Sequence, residues 1–157
     1  MFKKLTPLYF ALSLILVSSP SWGASLYSIK LDSLTQLDTI ALEDYQNKIL
    51  VLTIFEPECP WCMKQFKALE ALYTNCDSKL QPIGIGLGSI KGLKAIVYRT
   101  KITFPAGQAS TEFIALVGQP QATPFSIIVD ESGQLITSFQ GYIPLEKLEY
   151  AFQDICA

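Results

Sequence analysis

The sequence predicts an α/β domain of three layers, an α/β/α arrangement with a central mixed β-sheet, and three observations carry that expectation. Residues 49–55 (ILVLTIF) form an unbroken apolar, β-branched run, the pattern of a strand buried on both faces. Over residues 60–76, Cys62, Phe66, Leu69, Leu72, Tyr73 and Cys76 recur at helical spacing and make one stripe to lay against a sheet. Residues 125–129 and 134–139 are strand-like runs separated only by Asp130, Glu131, Ser132 and Gly133. A turn that short joins antiparallel neighbours, so a sheet that also takes strand-helix-strand crossovers is mixed.

Taken in order, the chain opens on an address. Lys3 and Lys4 precede an apolar run at 8–17, and Ser18, Ser19, Pro20, Ser21, Trp22 and Gly23 follow it. A basic start, an apolar stretch and then small residues make a secretory signal peptide. Spanning a bilayer takes about 20 apolar residues, so a membrane anchor would need the segment to stretch uncleaved as far as Trp22. Cleavage after Gly23 leaves residues 24–157 as the mature domain. It removes two of the twelve basic residues and none of the fourteen acidic ones, for a net charge of −4. Residues 26–31 and 37–42 then read as an N-terminal hairpin or strand pair. The central strand at 49–55 is broken by Pro57, Glu58, Cys59 and Pro60, and a helix starts with Cys59 as its cap and Pro60 in the first turn, where a missing N–H costs nothing. A second buried strand is expected at 82–87, a helix at 93–98 and a short helix at 111–117 that Gly118 stops. After the hairpin, Pro144 opens a last helix whose Leu145, Leu148, Phe152 and Ile155 form one stripe.

Composition narrows the chemistry. The 157 residues include no histidine, which removes Ser-His-Asp and Cys-His catalysis and His-ligated zinc together. The slight net negative charge and scattered lysines give no attraction to a nucleic-acid partner. Sulfur is what remains most conspicuous: Cys59, Cys62, Cys76 and Cys156, which export would place where disulfides persist.

Cys59-Pro60-Trp61-Cys62 sets two thiols three positions apart at a helix start. Unpaired N–H groups and the positive end of the helix dipole favour a thiolate at Cys59. A thiolate attacks disulfides, and the second sulfur, one turn on, resolves the mixed disulfide. Cys59 is therefore the expected exposed nucleophile and Cys62 the recessed resolving thiol. Two other readings compete: half of a zinc site, and a purely structural disulfide. A four-sulfur metal site would need Cys76 and Cys156 as well, and Cys76 is 14 residues beyond Cys62, on the order of 20 Å away along one helix, so no metal is expected; no cofactor is expected either.

The order apolar strand, CPWC, amphipathic helix resembles the thioredoxin superfamily, and Thr123-Pro124-Phe125-Ser126-Ile127-Ile128-Val129-Asp130 with Gly133 and Gly141 resembles its second half. The pattern GQPQATPFSIIVDESGQLITSFQG is most similar to the exported TlpA-like and ResA-like thioredoxins. The resemblance implies a thioredoxin fold from about Leu26 onward, a cis Pro124 lying against the active-site cysteines, and a Thr123 backbone that pairs with an extended substrate segment. Trp61 is read as an apolar contact for a partner chain, against a ring folded onto its own domain, while Tyr142 and Phe125 are read as packing residues. Two departures stand out. Thr53 occupies the place where many relatives bury an aspartate, so the usual base for the resolving thiol is absent. Glu58 replaces a tryptophan, with Glu56 two residues earlier; a carboxylate there would raise the Cys59 pKa, and one of the two acids is a candidate proton carrier, unless both are simply solvated.

In the thioredoxin arrangement the helices ending at Cys76 and Cys156 pack on one sheet face and run in the same direction, which implies a structural Cys76–Cys156 bridge; two free thiols or an intermolecular bridge are the alternatives. The function implied is an exported, most simply periplasmic, thiol-disulfide oxidoreductase acting on cysteine-containing client proteins. The resemblance further implies a reductase kept reduced by a membrane thiol electron carrier, with cytochrome c precursors among its clients or a role in disulfide quality control. An oxidase or isomerase would use the same residues, and a non-catalytic peptide-binding module of the same fold is the reading from a different class.

Overall fold

The computed structural model describes residues 22–35, 38–76 and 79–156. The expected signal segment lies almost wholly outside these residues. Among the described residues no helix is long and apolar enough to cross a membrane.

The central strand β3 (Ile49–Phe55) is buried along nearly its whole length. It pairs in parallel with β4 (Leu80–Gly86) on one side and antiparallel with β6 (Phe125–Val129) on the other. This is why its sequence does not alternate: both faces are covered. β4 continues in parallel to β5 (Ala106–Gln108), which receives β1 (Lys30–Ser33) antiparallel, and β1 carries β2 (Thr39–Ala41) at the edge. At the opposite edge β6 turns antiparallel into β7 (Leu135–Gln140), giving a mixed seven-stranded sheet in the order β2-β1-β5-β4-β3-β6-β7. The hairpin turn is closed by Asp130, whose Oδ1 accepts hydrogen bonds from the Ser132 hydroxyl at 2.7 Å and the Gln134 N–H at 2.9 Å. These donors, the Ser132 hydroxyl foremost, hold its carboxyl below the usual range.

Helices fill both outer layers. On one face α2 (Pro60–Asn75), α3 (Ile90–Thr100) and α5 (Leu145–Phe152) enclose a core around Phe55, Phe66, Leu69, Phe104 and Phe152. On the other, α1 (Trp22–Tyr27) and α4 (Thr111–Val117) cover Leu50, Leu52, Ile83, Ile85 and Phe113. Close approach of α2 to β4 depends on Gly84, where a Cβ would come within 2.9 Å of the Phe66 ring. The expected α2 stripe is only partly sunk: Cys62, Phe66, Leu69 and Leu72 are buried, whereas Tyr73 and Cys76 pack at the core margin.

Three expectations need correction. Residues 26–31 do not form one strand. Leu26 and Tyr27 close α1, Lys30 begins β1, and the polar-apolar alternation came from a helix end abutting a strand. The expected strand pair does form, β1 antiparallel to β2, but of the expected 37–42 stretch residue 37 lies outside the described residues, β2 takes Thr39–Ala41, and at Leu42 a 3-10 turn (Leu42–Tyr45) takes over. β5 was not foreseen at all. Its three residues, AGQ, carry too little apolar signal, and its place in the sheet is fixed by pairing with β4 and β1.

Candidate active site

The site forms where β3 ends. Leaving Phe55, the chain turns through Glu56, Pro57 and Glu58, and Glu58 takes the left-handed conformation (φ 59°) that a non-glycine residue adopts at a cost. That turn delivers Cys59 as the N-cap of α2, with Pro60 following at the first helical position. The Cys62 N–H donates to Cys59 Sγ at 3.1 Å, so the sulfur occupies the place of a capping oxygen and faces the open amide end of the helix. Cys59 and Cys62 are joined in a disulfide. Cys59 is half-buried and Cys62 is fully enclosed, so one sulfur of the pair lies at the rim and the other in the interior.

The loop before β6 closes over the pair. The peptide bond between Thr123 and Pro124 is cis, and the Thr123 carbonyl oxygen lies 3.8 Å from Cys59 Sγ. The Thr123 hydroxyl is 3.7 Å from the same sulfur and donates to Glu56 Oε2 at 3.0 Å. Of the two acids singled out in the sequence, Glu56 thus touches Thr123. Glu58 is exposed and borders a second cleft on the other side of Cys59, with Pro57, Met63, Lys91 and Arg99.

Trp61 stands 54% exposed, tilted against Tyr142 with ring centroids 5.8 Å apart, and Lys64 Nζ lies 4.2 Å over its ring. Trp61, Thr123, Pro124, Gly141 and Tyr142 line a cleft of about 410 Å³ beside the disulfide. Tyr142, read from sequence as a packing residue, is therefore part of this rim; its 36% exposure has no local sequence signal, because the contact joins residues 81 positions apart. Phe125 packs partly buried in the core of the opposite face.

Gln65 was missed as well. It is fully buried on the α2 stripe one turn beyond Cys62, and its Oε1 accepts the Ile143 N–H at 2.7 Å, which ties the loop carrying Tyr142 to the helix carrying the disulfide. Its Nε2 has no partner among the described residues. A glutamine set within an apolar stripe beside CPWC was the signal that could have found it.

Beneath the site, Thr53 is fully buried and shares a 3.0 Å hydrogen bond with Ser126 across β3 and β6. A neutral pair therefore fills the interior position where a carboxylate would bring an unmatched charge. Thr53→Val should cost about 1–3 kcal/mol in urea unfolding because it strands the Ser126 hydroxyl, whereas adding Ser126→Ala should return much of that loss. Equal costs for the single and double variants would contradict the pairing.

Cys76, the C-cap of α2, and Cys156, in the chain beyond the end of α5, are also joined in a disulfide, with Cα atoms 4.2 Å apart. Among the described residues no cluster of histidine, cysteine, aspartate or glutamate could hold a metal ion.

The sequence matches the AhpC/TSA family over residues 23–151. No curated protein matches. Solved structures do. The DsbF homologue from Corynebacterium diphtheriae is 23% identical with a TM-score of 0.71, covering 82% of this chain and 85% of its own. The thioredoxin-family thiol:disulfide interchange protein from Chlorobium tepidum TLS is 16% identical with a TM-score of 0.71, covering 83% and 94%. A secreted Mycobacterium tuberculosis disulfide oxidoreductase homologous to E. coli DsbE is 15% identical with a TM-score of 0.70, covering 82% and 96%. At these identities the likeness is one of fold, and the fold is that of thioredoxin.

Proposed function

Because the chain belongs to the AhpC/TSA family, of the thioredoxin superfamily, and carries a CPWC disulfide at the tip of α2, we propose that it is a thiol-disulfide oxidoreductase acting on the cysteines of client proteins. The observation that carries this reading is the Cys59–Cys62 pair itself: one sulfur at the rim on an amide-lined helix end, its partner enclosed one turn along. The names of the structural neighbours, thiol:disulfide interchange protein and disulfide oxidoreductase, support it.

As a reductase the dithiol form works in two exchanges. The Cys59 thiolate attacks one sulfur of a client disulfide, forming a Cys59–client disulfide and expelling the other client sulfur as thiolate. Cys62 then loses its proton and attacks Cys59 Sγ, forming the Cys59–Cys62 bond and releasing the second client thiolate. Two electrons have passed to the client, and an external dithiol must restore the pair. The Thr123 backbone, Pro124 and the Trp61–Tyr142 rim form the surface on which the client segment lies. Within this reading the protein is exported by the 1–23 segment into the periplasm and recharged by a membrane thiol carrier. The basic-apolar-small pattern of the leader supports export, as does likeness to a secreted protein.

The equilibrium reduction potential of Cys59/Cys62 against a glutathione or dithiothreitol series, read alongside insulin reduction, tests the direction. A potential below about −250 mV, in the range of thioredoxin, with insulin turnover is expected of a reductase. A value near that of the strong oxidant DsbA, about −120 mV, would overturn the reductase assignment in favour of an oxidase.

A further inference from the structure

Thr123 carries one hydroxyl hydrogen, and two acceptors compete for it. In the disulfide form it goes to Glu56 Oε2 at 3.0 Å, while Thr123 Oγ1 sits 3.7 Å from Cys59 Sγ. Once the disulfide is reduced, the same sulfur becomes a thiol or a thiolate, and a thiolate wants that hydrogen. We infer that Glu56 is a positioning residue that withholds the Thr123 hydroxyl from Cys59 and so keeps its thiol harder to ionise. The inference rests on the redox reading above and deepens it by assigning Glu56 the setting of the nucleophile.

Local chemistry at the sulfur is a balance. The Cys62 N–H at 3.1 Å and the amide end of α2 favour negative charge. The Thr123 carbonyl at 3.8 Å offers an acceptor to the protonated thiol and repels the thiolate. The hydroxyl is the one group able to join either side, and while its single hydrogen is given to Glu56, the nearer and charged acceptor, it is withheld from the sulfur. The other charged or titratable groups around Cys59 are Glu58 from the same loop, Lys91 and Arg99 across the second cleft, and Lys64 and Tyr142 around Trp61. None of them is hydrogen-bonded to Thr123 among the described residues.

The test is a set of four proteins: wild type, Glu56→Gln, Thr123→Val and the double variant. Their Cys59 pKa is followed by thiolate absorbance near 240 nm with the Cys76–Cys156 bridge intact. A glutamine at position 56 can donate to Thr123 Oγ1 and turn its hydrogen to the sulfur. Glu56→Gln should therefore lower the Cys59 pKa by about one unit. At a pH where Cys59 is ionised in both proteins, the equilibrium should shift about tenfold toward the dithiol form, or about 30 mV. In the Thr123→Val background the same substitution should lose most of its effect. An unchanged pKa in Glu56→Gln overturns the inference, and so does a full shift that persists without the hydroxyl, which would mean simple through-space repulsion. Failure of the parent reading looks different: wild type would then reduce no client at all, whatever its thiol pKa.

Discussion

Cys59→Ser should reduce insulin disulfide exchange to the background of the assay without protein. The loss is complete because a hydroxyl at the helix cap is not ionised near neutral pH and forms no mixed disulfide, so both exchanges are blocked at their first bond. Cys62→Ser should behave differently. The rim sulfur still attacks, but with the enclosed resolving sulfur gone the mixed disulfide persists, and turnover stalls after one client per protein molecule. The pair of variants therefore separates the roles as well as testing them. Activity that survives Cys59→Ser would favour the peptide-binding module, in which CPWC is a resting disulfide and the cleft beside Pro124 holds a segment without exchange.

The second large effect is on stability. Replacing Cys76 and Cys156 together by alanine removes a bridge of sequence separation 80. In the chain-entropy account a loop of that length contributes about 4 kcal/mol by restricting the unfolded chain, and urea unfolding of the double variant should show a loss approaching that figure. The bridge ties the end of α2 to the chain just past α5, two helices that pack together and feed one core, Leu72 from α2 and Leu148 and Phe152 from α5. The Cys59 cap sits at the opposite end of α2, about 24 Å away for a helix of 16 residues. Disulfide exchange at temperatures where the variant remains folded should accordingly match the wild type. A double variant as stable as the parent would show that the bridge adds nothing to the packing of the two helices.

What could be read in the sequence follows the range of the forces involved. The buried strand 49–55, the capped helix after it and the terminal hairpin are local patterns, and the cysteine cap with proline behind it announces its own geometry. β5 is three residues defined wholly by its neighbours, and α1 hides in a stretch whose alternation mimics a strand. Within the site, the CPWC motif was legible. Its surroundings were less so: Tyr142 against Trp61, Gln65 holding Ile143, and Thr123 bonded to Glu56 all join residues far apart in the chain. Thr53 was recognised as a departure, but its partner Ser126, 73 residues away, shows why a neutral residue suits that place.

The central claim is that the sulfur of Cys59 is the one that meets the client. Reduced Cys62→Ser protein mixed with a disulfide-bearing client, quenched in acid, digested without reduction and read by mass spectrometry tests it directly. A mixed disulfide on the peptide containing position 59, absent from Cys59→Ser protein, is the predicted result. No adduct in Cys62→Ser, or an adduct on Cys62 in the Cys59→Ser control, would contradict it.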